Sequence, residues 1–189
     1  RKCAAARHLG GTVVRIVARA HRHPIEGWRP PRRTRAGVLD VLAANLAELA
    51  RLAADAGITL ALENHADLSV AEILELLRRV RHPALRLQCD VGEQGALLED
   101  AVAACRALLP YAVTVHWKDY RSRLTETGYV VENCPPGEGL LPLDDLLDLI
   151  RQQPQGMAIF VAAPTTPAKA EEALVASHLA FLRRRLRIR

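Results

Sequence analysis

The chain has 189 residues, half of them apolar and a quarter charged, with a formal net charge of +5 carried almost wholly by arginine. That length can bury a sizeable core in one domain. No apolar run approaches the roughly 20 residues of a membrane-spanning helix, and the Ala-rich start lacks the apolar region of a secretion signal, so a cytoplasmic protein without a membrane partner is expected.

In chain order, helix-like and strand-like segments alternate. Residues 1–9 read as the end of a helix, and Thr12–Ala18 (TVVRIVA) is a β-branched strand. Residues 19–36 form a Pro/Arg/His loop broken by Pro24, Pro30 and Pro31. Leu39–Ala56 has apolar residues at helical spacing and stops at Gly57. Ile58–Glu63 is a strand, and Asp67 or Ser69 can cap a helix over 70–80. Leu85–Asp90 is a strand, followed by a helix to about Leu109, and Ala112–His116 is the next strand. A long loop over 119–140 has room for a small hairpin around Gly128. Leu141–Arg151 is a helix, Met157–Ala162 a strand, and 167–185 a last helix. Five strands with intervening helices predict a parallel α/β sheet, and no break in composition divides residues 1–189 into two domains.

Side chains alternate along a strand. Ile58, Leu60 and Leu62 therefore share one face, and Thr59, Ala61 and Glu63 the other. Gln88 and Asp90 oppose Leu87 and Cys89, and Thr114, His116 and Lys118 oppose Val113, Val115 and Trp117. One face is apolar and suits covering helices. The other ends in an ionisable residue at the C-terminal rim, which suits the interior of a barrel enzyme. Glu63 and Asp90 are 27 residues apart, and Asp90 and His116 are 26 apart, each about one β/α unit. Two carboxylates and an imidazole at successive strand ends suit Mn, Mg, Co, Fe or Zn as a divalent ion. Taken singly, each residue serves as well to cap the helix that follows it.

Several stretches resemble a known family. GITLALENH (57–65) is similar to the segment in which a strand ends in a metal-binding Glu, LRLQCDVGE (85–93) to the segment ending in the ligand Asp, and VTVHWKDY (113–120) to the strand whose His is a ligand. LGGTVVRIVA (9–18) and PPGEGLLPLDDLLDLI (135–150) resemble the flanking strand and the Gly-Glu-Gly turn. The family is the sugar phosphate isomerase/epimerase family of xylose-isomerase-like TIM (β/α)8 barrels, and the five strands correspond to its fourth to eighth. The resemblance implies a divalent metal ion (Mn, Mg, Co or Zn) on Glu63, Asp90 and His116. It implies proton transfer next to the carbonyl of a sugar, sugar phosphate or polyol through an enediolate, with Glu63 as base. His65, Glu93 and Lys118 are the expected substrate contacts.

The chain departs from the pattern in three ways. The eighth strand of the family ends in a second Glu, and here that position falls at Val161 or Ala162. Glu93 stands where His or Asn is common. The first three strands are missing. A catalytically impaired relative that keeps the barrel and a weak metal site is therefore the alternative function. A dehydratase acting on an inosose is a further member of the same chemistry. A DNA repair nuclease of the endonuclease IV kind needs a His where Glu93 stands, and is set aside.

Five strands are three short of a closed barrel. The expectation is an incomplete barrel with edges at Thr12–Ala18 and Met157–Ala162, completed by about 80–100 more N-terminal residues or by another polypeptide, a homo-oligomer included. The start at Arg1 rather than Met fits a piece of a longer protein. Remaining features read as structural. The basic clusters Arg29–Arg35 and Arg183–Arg189 have no interleaved aromatics, so no nucleic-acid partner is expected. His21 and His23 read as surface residues of a loop, Trp28 as a packing residue, Asp119 as orienting a neighbour, and Glu138 as part of a turn. Cys3, Cys89, Cys105 and Cys134 form no C-x-x-C pair and are expected as reduced thiols.

Overall fold

The computed structural model describes residues 2–20, 34–161 and 168–187. His21, His23, Trp28, Arg29–Arg33 and Ala162 lie outside the described residues. In chain order the elements are α1 (Lys2–His8), β1 (Val13–Val17), α2 (Arg35–Asp55), β2 (Thr59–Glu63), α3 (Val70–Val80), β3 (Leu85–Asp90), α4 (Ala101–Leu108), β4 (Ala112–Trp117), β5 (Tyr120–Thr125), β6 (Gly128–Asn133), α5 (Leu143–Arg151), β7 (Ala158–Val161) and α6 (Ala168–Leu186). The sheet order is β1-β2-β3-β4-β7, and every neighbouring pair is parallel. β5 and β6 form a separate antiparallel hairpin. The described residues thus form a half-barrel of five parallel strands with helices between them. Among the described residues β1 and β7 pair on one side only.

Local sequence sets the boundaries. Helix α2 starts at Arg35, four residues before the apolar periodicity begins, because the Thr34 side chain accepts a hydrogen bond from Gly37 N. It ends before Gly57, whose φ of 64° only glycine adopts freely. For α3 the two candidate caps part company. Ser69 accepts from Glu72 N, and the Glu72 side chain bonds back to Ser69 N, a reciprocal capping box. Asp67 instead turns to the chain that follows β1 and accepts a 2.8 Å bond from Ala20 N. The predicted hairpin at Gly128 is the β5–β6 pair.

The core lies between the sheet and the helices. Leu60, Leu62, Leu87, Cys89, Val115 and Trp117 point outward from the strands and pack with Ala50, Ala53, Ile73, Leu76, Leu108, Leu146 and Leu147. Each fully buried aliphatic side chain contributes about 1.5–3 kcal/mol. Trp117 is wholly buried and stacks on Phe181 with centroids 6.2 Å apart. All four cysteines are free, and Cys89 and Cys105 meet in this core with sulfurs 3.9 Å apart. The opposite face of the sheet is open. There Phe160 is 52 % exposed and Val13 37 %. No helix among the described residues is long and apolar enough to cross a membrane.

Candidate metal centre

Strand register determines which residues meet on the open face. Glu63 of β2 lies level with Gln88 of β3, and Gln88 with Thr114 of β4. One row closer to the strand ends, Asp90 lies level with His116, and His116 with Phe160. Hydrogen bonds follow these rows. Thr114 Oγ1 donates to Gln88 Oε1 at 3.2 Å, and Gln88 Nε2 donates to Glu63 Oε1 at 3.0 Å. His116 Nδ1 lies 2.6 Å from Asp90 Oδ2 and 3.1 Å from Glu63 Oε1. One ligand atom from each of Glu63, Asp90 and His116 falls within 4.8 Å of the other two. The strand periodicity predicted this convergence, and the distances meet it.

Each carboxylate spreads its contacts over both oxygens. Asp90 Oδ1 accepts from Gly92 N at 2.9 Å and Glu93 N at 3.2 Å. Glu63 Oε1 takes Gln88 and His116. Among the described residues, Glu63 Oε2 and Asp90 Oδ2 meet charged groups: Arg15 Nε lies 2.6 Å from Glu63 Oε2, and His116 Nδ1 at 2.6 Å and Lys118 Nζ at 3.0 Å lie against Asp90 Oδ2. One oxygen from each carboxylate and the imidazole, all within 4.8 Å of one another, are a donor set that a divalent cation fits.

The charges hold one another in place. Burial opposes ionisation of Glu63, but the hydrogen bond to His116 and the Arg15 charge outweigh it and hold the carboxyl below its usual range. Burial likewise opposes ionisation of Asp90, and the His116 hydrogen bond with the Lys118 charge overrides it. Burial disfavours the imidazolium of His116, yet its bonds to Asp90 and Glu63 push it up to about 9. Lys118 is raised despite burial, through Asp90 and Glu93.

The other expected contacts surround this group. A pocket of about 660 Å³ is lined by Glu63, His65, Glu93, His116 and Lys118, with Arg15 on one wall and the β5–β6 hairpin on another. His65 is half-buried, and its Nδ1 has no hydrogen-bond partner among the described residues. Lys118 bridges Asp90 and Glu93. Asp119 is fully buried and accepts backbone N–H bonds from Tyr120 at 2.9 Å, Gly137 at 2.9 Å, Gly139 at 3.1 Å and Leu141 at 3.3 Å. This wraps the Gly-Glu-Gly turn around a carboxylate. A Cβ on Gly139 would come within 2.1 Å of Asp119 Oδ1, so the turn needs glycine there. Glu138 itself is exposed.

Several residues escaped the sequence reading. Asn64 is buried, and its side chain donates to Asp90 O at 2.9 Å and accepts from Asp90 N at 2.7 Å, as an adjoining strand would. Gln88 orients Glu63. Arg15 lies level with Ala61, and its long side chain reaches past that small residue to Glu63. Its signal was present, because Arg15 interrupts the valine face of TVVRIVA. One expected position is corrected: Val161 packs with Ile159 against the core, whereas Ala158 and Phe160 are exposed on the other face. Alternation puts Phe160 on the inward face of β7, so of the two expected positions Val161 faces the core, and Ala162 lies outside the described residues.

A family model described as Xylose isomerase-like TIM barrel matches residues 1–185. The chain is 27% identical over 110 residues to a protein of Escherichia coli (strain K12) named Uncharacterized protein YihM, a match covering 58% of this chain and 34% of that one. A xylose isomerase-like TIM barrel protein from Mycobacterium smegmatis, solved in complex with magnesium, superposes with a TM-score of 0.71 at 17% identity, over 93% of this chain and 64% of that one. An L-ribulose 3-epimerase superposes with a TM-score of 0.71 at 18% identity, over 95% of this chain and 63% of that one. At these identities the likeness to solved structures establishes the fold. The matches span about a third of the length of the E. coli relative and just under two thirds of each of the two structures.

Proposed function

The chain belongs to the xylose isomerase-like TIM barrel family, and from that premise we propose that it is a metal-dependent sugar or polyol isomerase/epimerase-like protein whose ligands are Glu63, Asp90 and His116. The observation that carries this reading is the approach of three donor atoms, from three successive strand ends, to within 4.8 Å of one another. A bound divalent ion would polarise a substrate carbonyl and hydroxyl and so acidify the neighbouring C–H. The remaining work belongs to the protein. Glu63, in the pocket wall, is the candidate to take the carbon-bound proton, and Glu93 is the second carboxylate in the same pocket. Lys118 and His65 line that pocket as contacts for substrate oxygens. Asp90 is 2 % exposed and acts as a ligand alone. The pocket volume of about 660 Å³ suits a sugar-sized molecule.

One observation favours a second reading. β7 brings no carboxylate to the site among the described residues, because its inward side chain is Phe160 and Val161 faces the core. A relative with impaired turnover that retains the metal centre follows from that.

The test is metal titration of the protein beside an activity screen on ketoses and inosose. Stoichiometric Mn²⁺ or Zn²⁺ binding that Glu63→Gln and Asp90→Asn abolish, with turnover of about 1–10³ s⁻¹, supports the enzyme. The same binding without turnover supports the impaired relative. A protein that binds neither ion overturns both readings.

A further inference from the structure

We propose that Arg15 is the anion-recognising residue of this pocket and that the substrate carries a carboxylate, making it a sugar acid of the aldonate or uronate class rather than a neutral sugar. The proposal rests on the metal-centre reading above.

The basic side chains around the pocket differ in what each already holds. Lys118 is clamped between Asp90 and Glu93 and is largely buried. Arg121 pairs with Glu132 at 3.0 Å across the hairpin. Arg15 has a different partner: its Nε lies 2.6 Å from Glu63 Oε2. Glu63 Oε1 is already occupied by Gln88 and His116. Arg15 therefore shares the Glu63 carboxylate with any cation that the site binds. A cation bonded to it at about 2.0–2.6 Å competes for the same lone pairs and repels the guanidinium.

Arg15 is free to leave. Its side chain is 50 % exposed, it stands on the edge strand β1, and small Ala61 lies level with it. It lines both the pocket at the strand ends and a second one of about 330 Å³ on the open face of the sheet, with Gln88, Thr114 and His116. Once detached from Glu63, it presents a planar fork of donors beside the metal. That fork matches a carboxylate with two parallel hydrogen bonds.

The charge balance points the same way. Among the described residues, Glu63, Asp90, Glu93 and Glu132 supply four negative charges; Arg15, Lys118 and Arg121 supply three positive ones. A divalent ion held through a neutral His116 brings the site to a net charge of +1. A monoanion neutralises it, a neutral sugar leaves it charged, and a phosphate dianion reverses its sign.

Three probes of matched chain length separate these cases: sorbitol, D-gluconate and sorbitol 6-phosphate, each titrated calorimetrically into the Mn²⁺-loaded protein. The expected result is gluconate binding at least about tenfold tighter than sorbitol, the size of one charge-assisted bidentate contact. Arg15→Gln removes that preference and leaves sorbitol affinity unchanged, and Arg15→Lys keeps part of it. Mn²⁺ affinity of Arg15→Gln equals or exceeds that of the unmodified protein, because a competing cation is gone; this also reports an intact fold. An unchanged gluconate-to-sorbitol ratio in Arg15→Gln overturns the proposal, since gluconate then binds through the metal alone. A tenfold loss of Mn²⁺ affinity in that variant also overturns it, by making Arg15 a support of the site. Tightest binding by sorbitol 6-phosphate overturns the carboxylate assignment. If the unmodified protein binds no Mn²⁺, the metal-centre reading falls first and the proposal with it.

Discussion

Asn64 gives the sharpest test of how the site is built. Its side chain makes two hydrogen bonds, 2.7 and 2.9 Å long, to the backbone N–H and C=O of Asp90. Both groups lie in a buried environment. Asn64→Leu keeps the volume and removes both partners. Each lost bond costs about 0.5–1.5 kcal/mol, and each buried backbone group left unpaired adds about 1–3 kcal/mol where water cannot reach it. Partial relaxation reduces the sum, so the expected destabilisation is about 2–4 kcal/mol. For a chain of this size each kcal/mol moves the melting temperature by about 2–4 °C. The fall in Tm is therefore about 4–16 °C, read by circular dichroism. Metal affinity should fall with it, because the carboxylate of Asp90 is aimed by the backbone that Asn64 holds. A Tm within about 1 °C of the unmodified protein would refute the reasoning, and would mean that water satisfies Asp90 at no cost.

Four further outcomes are expected. Metal must displace the proton that His116 holds up to about 9, so binding at pH 7 should release close to one proton, and affinity should rise about tenfold per pH unit from 6.5 to 8; calorimetry in buffers of different ionisation enthalpy measures both. Without metal, Glu63 and Asp90 have depressed pKa values and stabilise the fold above their unfolded values, whereas His116 stabilises it fully below 6.5 and loses that contribution as pH rises to about 9. Urea midpoints of the metal-free protein should therefore be highest between about 4.5 and 6.5 and fall on either side. Trp117→Ala removes a wholly buried ring stacked on Phe181 and should cost about 3–5 kcal/mol in the same urea measurement. Asp119→Ala leaves four backbone N–H groups of the hairpin base and glycine turn without their acceptor and should cost at least about 3 kcal/mol.

The sequence by itself determined the β/α order, the two faces of each strand and the three donors at the strand ends. Those follow from period-2 alternation and from spacings of about one β/α unit, which are properties of a single strand and its neighbour along the chain. It also carried the hairpin at Gly128 and two candidate caps of α3, of which the fold uses Ser69 through its reciprocal bonds with Glu72. Tertiary structure decided what lies level with what. Register between strands depends on how helices seat on the sheet, and alternation says nothing about it. Register placed Gln88 beside Glu63, left Ala61 small enough for Arg15 to pass, and turned Val161 toward the core with Phe160 facing inward. The polar surroundings of the site were equally hidden, because Asn64, Gln88 and Asp119 act through hydrogen bonds across elements, and no periodicity records which groups a folded chain leaves in need of a partner.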